Sequence, residues 1–247
     1  MCLGVVRKPL DIKENTVDQR HLVLLPGLLC DSALWRHQTE TLGDICQTWV
    51  PDLTQDETIP AMAQRVLDQA PRTFCLAGLS MGGYVAQEIM RKAPERVERL
   101  ALIDTNARAD TEAQVHTRRE LIRFSELGKF KGVTPRLLPN LIHPSRLKDP
   151  AVADVVLQMA ERVGQEAFTR QQKAIMARVD SRGDLPAIRV PTLVMCGRQD
   201  AISPLAFHTE MAEVIPNARL VVVEECGHLV PLERPYAASA VIRYWLG

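Results

Sequence analysis

The chain has 247 residues, with 30 Lys and Arg against 30 Asp and Glu, so its formal net charge is zero. That balance offers nothing to nucleic acid or to an anionic membrane surface, and aromatics at 4% are too sparse for a base-stacking platform. Hydrophobic content of 46% and charged content of 24% are ordinary for a globular protein, and the length suits one large α/β domain or two small ones.

The opening MCLGVVRKPLDIKENTVDQR is polar and carries only a weak strand pattern around Val5 and Val6. It has no apolar region long enough for a signal peptide, and no run in the chain approaches the roughly 18 apolar residues of a membrane span. HLVLLPG (21–27) is a short apolar run stopped by Pro-Gly and predicts a buried strand. DSALWRHQTETL (31–42) has N-cap candidates in Asp31 and Ser32 and predicts a helix. A second strand is expected in ICQTWVPDL (45–53), a helix in 57–70, and a third strand in RTFCLAG (72–78). SMGGYVAQEIMRKAP (80–94) predicts a helix stopped by Pro94, and RVERLALIDT (96–105) a fourth strand.

From about 108 to 182 the alternation breaks into three or four helical patterns with no convincing strand. It then resumes with a strand at 190–197, a helix at 203–215, a strand at 218–227 and a closing helix at 234–247. Short apolar strands alternating with helices imply a mostly parallel sheet covered on both faces. The expected domains are a core of 1–107 and 183–247, and a helical lid of 108–182 inserted over the carboxyl ends of the strands, where such sheets bind ligands.

Six cysteines occur and none forms a CxxC pair. Cys75 and Cys196 lie in strand-like runs and are expected as reduced core residues, with no disulfide framework and no zinc site. The expected location is the cytoplasm.

The stretch CLAGLSMGGYVAQEIM (75–90) places Gly78 and Gly82 two residues either side of Ser80, where a strand becomes a helix. At so sharp a turn the flanking positions meet face to face, and a side chain there would clash. The turn residue is driven to positive φ, at a cost of roughly 1–3 kcal/mol. The return is a hydroxyl exposed above the sheet beside a helix N-terminus, the arrangement of a nucleophile elbow. A serine hydroxyl needs a general base, and the base needs an orienting acid. Asp200 follows the strand in VPTLVMCGRQD, and His228 follows the next strand in ARLVVVEECGH. Both are therefore expected at the sheet edge that carries Ser80.

On GLSMGG (78–83), PTLVMCGRQD (191–200) and CGHLVPLERP (226–235), nearly the whole chain resembles the α/β-hydrolase superfamily, its serine esterase and lactonase branch. The resemblance implies Ser80 as nucleophile, His228 as general base and acid, Asp200 as orienting carboxylate, and neither metal nor organic cofactor. Dehalogenases and epoxide hydrolases would have an aspartate at position 80. The oxyanion donors are expected to be the N–H of Met81 and that of Leu28, with Leu29 as the alternative. In the family the loop carrying the second donor often begins His-Gly, whereas here it is Pro26-Gly27.

Other residues compete. Asp104 follows a strand and is either a loop-start cap for local N–H groups or an alternative acid. His37 reads as structural, and His116 and His208 read as solvated. His143 is either a turn residue before Pro144 or a residue facing the pocket. Trp35 is either a wall of the acyl pocket or core. Met81, Leu28 and Leu29 are expected to form an apolar rim. The arginines between 108 and 182 read as a solvated face from which one side chain could bind a substrate carboxylate.

The expected activity is hydrolysis of a small to medium apolar ester, lactone or thioester. The alternatives are C–C bond hydrolysis or lysis by the same triad, and ligand binding without turnover. The expected partner is a small-molecule substrate, with no nucleic acid and no membrane, on a monomer or homodimer.

Overall fold

The computed structural model describes residues 20–247. Cys2 and the weak strand pattern at Val5 and Val6 lie outside them. Six strands form one sheet in the order β2-β1-β3-β4-β5-β6. They are β1 (Arg20–Leu25), β2 (Cys46–Trp49), β3 (Phe74–Leu79), β4 (Val97–Ile103), β5 (Thr192–Gly197) and β6 (Ala218–Val223). All five pairings are parallel. β3 and β5 are buried along their whole length, which explains their continuous apolar runs: a parallel strand under helices on both faces has no polar side. Cys75 and Cys196 lie in these two strands as free, buried thiols.

The helices divide between the faces. One core cluster joins β1, β3 and β5 to the closing helix (Pro235–Leu246) through Leu22, Leu24, Ala77, Met195, Ile242 and Trp245. The other packs α2 (Ile59–Gln69) and α3 (Met81–Lys92) on the opposite face through Met62, Val66, Val85 and Ile89. The helix expected at 31–42 is a 3-10 turn over Ser32–Trp35 that runs on into α1 (Arg36–Thr41). Asp31 caps it by accepting from the Ala33 N–H at 2.9 Å.

Between β4 and β5 the described chain is helical. α4 (Glu112–Phe124) starts with a reciprocal cap between Thr111 and Gln114. α5 (Pro150–Met176) breaks at Gly164, where φ is 77°, so the two helical patterns of the sequence are two arms of one bent element. The base of this segment is tied shut by a hydrogen bond from the Ser181 N–H to the Ala107 carbonyl at 2.7 Å. Its apolar face is shared with the rest of the molecule: Val156 and Met159 join one core cluster, Ala174 and Ile175 the other.

The sheet order reverses direction between β1 and β3. At such a switch point the two following loops diverge and leave a crevice at the strands' carboxyl ends. Gly27 and Ser80 lie on those two loops.

Candidate active site

Ser80 has φ 53° and ψ −114°, a strained backbone for a residue with a side chain. The turn is as tight as the glycine spacing predicted. A Cβ on Gly78 would lie 2.3 Å from the Gly82 carbonyl oxygen, and one on Gly82 would lie 2.3 Å from that of Leu25. Below Ser80 its N–H donates to Ile103 O at 3.0 Å, while its carbonyl accepts from Gly83 N–H and from Thr105 Oγ. The serine is thus fixed from both sides.

His228 Nε2 lies 2.9 Å from Ser80 Oγ, and His228 Nδ1 lies 2.8 Å from Asp200 Oδ2. A carboxylate can only accept, so Nδ1 carries the ring proton and Nε2 is left to accept from the serine hydroxyl. Burial pushes the Asp200 carboxyl up, but the His228 ring and the N–H groups of Ser203 and Ile202 outweigh it and hold the pKa below the ordinary value.

The loop carrying His228 is clamped by a buried carboxylate close by in sequence and by groups from across the molecule. Glu233, fully buried, accepts from the N–H of Gly227 and of Leu229, the two neighbours of His228. The His228 N–H donates to Leu141 O at 2.9 Å. Asp104 Oδ1 accepts from Gly197 N–H and Oδ2 from Val230 N–H. Asp104 therefore joins two distant loops rather than capping its own, and it has φ 45°. No hydrogen bond links it to His228.

A sequence model of the alpha/beta hydrolase family matches residues 22–241. The chain belongs to that family. Among curated relatives it is similar to the pimeloyl-[acyl-carrier protein] methyl ester esterase of Nitrosomonas europaea, 27% identical over 238 residues, which span 90% of this chain and 94% of that protein. Among solved structures it is similar to a thermophilic esterase from Thermogutta terrifontis with malate bound, at 33% identity and a TM-score of 0.85, covering 92% of this chain and 89% of that one. It shares its fold with the enol-lactonase of Burkholderia xenovorans LB400, at 24% identity, TM-score 0.79 and coverage of 92% and 91%.

In this alpha/beta hydrolase the Met81 N–H stands at the first turn of α3, where an amide has no intrahelical partner. The Leu29 N–H, the alternative oxyanion donor, is already committed to Gln171 Oε1 at 3.1 Å, and Leu29 has φ 58°. Leu28 makes no such bond among the described residues. Its side chain and that of Leu29 line a cavity of about 160 Å³ together with Ser80 and His228. An engineered cavity of about 150 Å³ takes a benzene, so the enclosed part of a ligand is about one ring or a short chain. Met81 points its side chain into the core below α3 and forms no part of the rim.

Trp35 and His143 are not on this cavity. Trp35 is fully buried against β1 because its 3-10 turn directs it inward. His143 caps the turn at 144–146, accepting from Ser145 N–H, while its own backbone N–H donates to Glu233. His116 is exposed, and His37 Nδ1 pairs with Ser239 Oγ at 2.8 Å. His208 departs from expectation: it is fully buried, and its Nε2 accepts from Thr105 N–H at 3.0 Å. Sequence reasoning missed Glu233, Gln171 and Tyr84, and took the arginines of the insertion only as a group. One of them, Arg118, reaches the cavity.

Asp104, Asp200 and His208 are the one described group whose donor atoms lie close enough to share a metal ion. Their donor atoms are already committed to Gly197, Val230, His228 and Thr105, so the group serves the loops.

Proposed function

We propose that the protein is a serine hydrolase of carboxylic esters, lactones or thioesters working through an acyl-enzyme. The observation that carries this reading is the line Ser80 Oγ, His228 Nε2, His228 Nδ1, Asp200 Oδ2, with contacts of 2.9 and 2.8 Å. The esterase names of its relatives support it.

Ser80 Oγ attacks the substrate carbonyl carbon while His228 Nε2 takes the hydroxyl proton. The ionised Asp200 stabilises the resulting imidazolium. The N–H groups of Leu28 and Met81 receive the tetrahedral oxyanion, the term that usually contributes most to such catalysis. His228 returns the proton to the leaving alcohol. Water then repeats the sequence on the acyl-enzyme and frees Ser80.

In this reading the helical segment 108–182 is a cap that chooses the substrate, because Arg118, Val133, Leu141, Val156 and Ile175 of that segment line part of the cavity. The buried free thiols suit a reducing compartment, and we place the protein in the cytoplasm.

The test is intact-mass labelling with a fluorophosphonate. A single adduct on wild type, absent from Ser80→Ala, supports an activated Ser80. No adduct on a folded wild type would overturn the acyl-enzyme reading in favour of C–C bond chemistry or ligand binding.

A further inference from the structure

The cavity over Ser80 has mostly apolar walls. Leu28, Leu29, Val133, Leu141 and Val156 wall it, and no carboxylate of a described residue lines it. Among the described residues, the one permanently charged side chain that reaches it is Arg118, from α4.

Arg118 is held by two buried side-chain acceptors. Its Nε donates to Asp110 Oδ2 at 2.7 Å and its Nη1 to Gln172 Oε1 at 2.7 Å. Both partners are nearly sealed off: the Asp110 side chain is 1% exposed and Gln172 is 1% exposed. Nη2 makes no hydrogen bond to a described residue. Asp110 is also shared. Its other oxygen accepts from Arg178 Nη1 at 2.6 Å, and the Arg178 guanidinium lies 4.2 Å from the ring centre of Tyr84, a further wall of the cavity.

Two guanidiniums on one carboxylate leave one positive charge in surplus, and of the two arginines Arg118 lines the cavity. A ligand that filled the cavity without supplying an acceptor would strip Nη2 of water and leave a charged donor unpaired, a costly state. A ligand with an anionic oxygen there removes that cost and gains a charge-assisted hydrogen bond from a donor that is already oriented.

We propose that Arg118 is a specificity-determining residue and that the substrate is an ester, lactone or thioester bearing a second, ionised carboxylate. This rests on Ser80 acting as the acylated nucleophile. It narrows the expectation of an apolar ester to one that also carries a charge, and takes up the expectation that an arginine of the insertion binds a substrate carboxylate. A carboxylate fits better than a phosphate dianion, because a single surplus charge neutralises one negative charge.

The experiment compares kcat/KM for monomethyl esters of the four- to seven-carbon dicarboxylic acids with their neutral dimethyl esters. Fluorophosphonate labelling and binding of adipate, read by calorimetry, accompany it. Wild type is expected to prefer at least one monoester over its diester by about 10- to 100-fold, the range that a charge-assisted hydrogen bond supplies. Arg118→Met should lose that preference mainly through KM, and Arg118→Lys should restore part of it. Wild-type selectivity needs no variant, so misfolding of Arg118→Met would not hide the answer. If wild type labels but prefers no monoester, or if the preference survives in Arg118→Met, the subsite is overturned. If wild type does not label yet binds adipate, and Arg118→Met does not, the subsite stands and the hydrolase reading fails. Inorganic phosphate displacing adipate at equal concentration would overturn the choice of carboxylate.

Discussion

Asp104 and Asp200 follow neighbouring strands, and oxygens of the two come within 4.8 Å of each other, yet the fold drives them in opposite directions. Burial, and then the charge of Asp200, push the Asp104 carboxyl well above the ordinary range, while the His228 ring and two N–H groups hold Asp200 below it. The ionised one faces the imidazole. Asp200→Asn should therefore lower kcat by about 10³- to 10⁴-fold with little change in folding, as expected when an imidazole loses its tautomer and its counter-charge. Asp104→Ala orphans the Gly197 and Val230 N–H groups and should cost about 1–3 kcal/mol for each, read by denaturant unfolding. Activity that survives in Asp200→Asn and vanishes in a folded Asp104 variant would exchange the two roles. The Cys30 thiol on the cavity wall is pushed up to about 12 by burial and by the Asp31 charge, so it stays protonated and is no rival nucleophile.

Among the elements, the second arm of α5 holds the loop after β1 in shape. Gln171, fully buried, accepts from Leu29 N–H and donates to Leu53 O at 3.2 Å. One side chain thus joins three segments and takes up the Leu29 N–H, which leaves Leu28 as the donor of the proposed oxyanion hole on this loop. Here Pro26-Gly27 stands where the family often has His-Gly, and the tie from α5 supplies the loop with a fixed shape. Gln171→Leu keeps the volume and removes both bonds. It should lower stability by about 1–3 kcal/mol and lower kcat more than it raises KM, since an oxyanion donor works in the transition state. Steady-state kinetics beside denaturant unfolding would check this; a variant with unchanged kcat would mean that the loop holds its shape unaided.

For the whole molecule, the buried His208 links stability to pH. Burial pushes its pKa down to about 4 from an ordinary 6.5, and protonating Nε2 would break its bond from Thr105 N–H. As pH falls below about 6.5 the unfolded chain takes up this proton first. The stabilisation is present above that pH and is lost as pH falls towards 4, by up to about 3 kcal/mol. Asp104 acts with the opposite sign: its raised pKa favours the folded state at low pH and loses that stability as pH rises above the ordinary carboxylate range. The effect is therefore read as the difference between wild type and His208→Gln. Between pH 6.5 and 4, wild type should lose stability more steeply; parallel curves would show that His208 is protonated in the native state.

The sequence by itself determined the frame. The strand and helix periods, Gly78 and Gly82 around Ser80, and the positions of Asp200 and His228 just past strand ends all follow from local chemistry, because a parallel sheet sends every strand end to the same edge. Within that frame, the described strands and helices fall close to the expected runs. Tertiary structure decided what depends on partners remote in sequence. Trp35 and His143 face away from the cavity because a turn and a cap orient them. His208 is buried because α6 (Leu205–Val214) packs it beside Thr105, although its own helix reads as polar there. Glu233 and Gln171 matter through bonds to backbone amides, and an amide leaves no mark in a sequence. Arg118 looks like its neighbouring arginines until Asp110 and Gln172, the latter 54 residues away along the chain, hold it over the cavity.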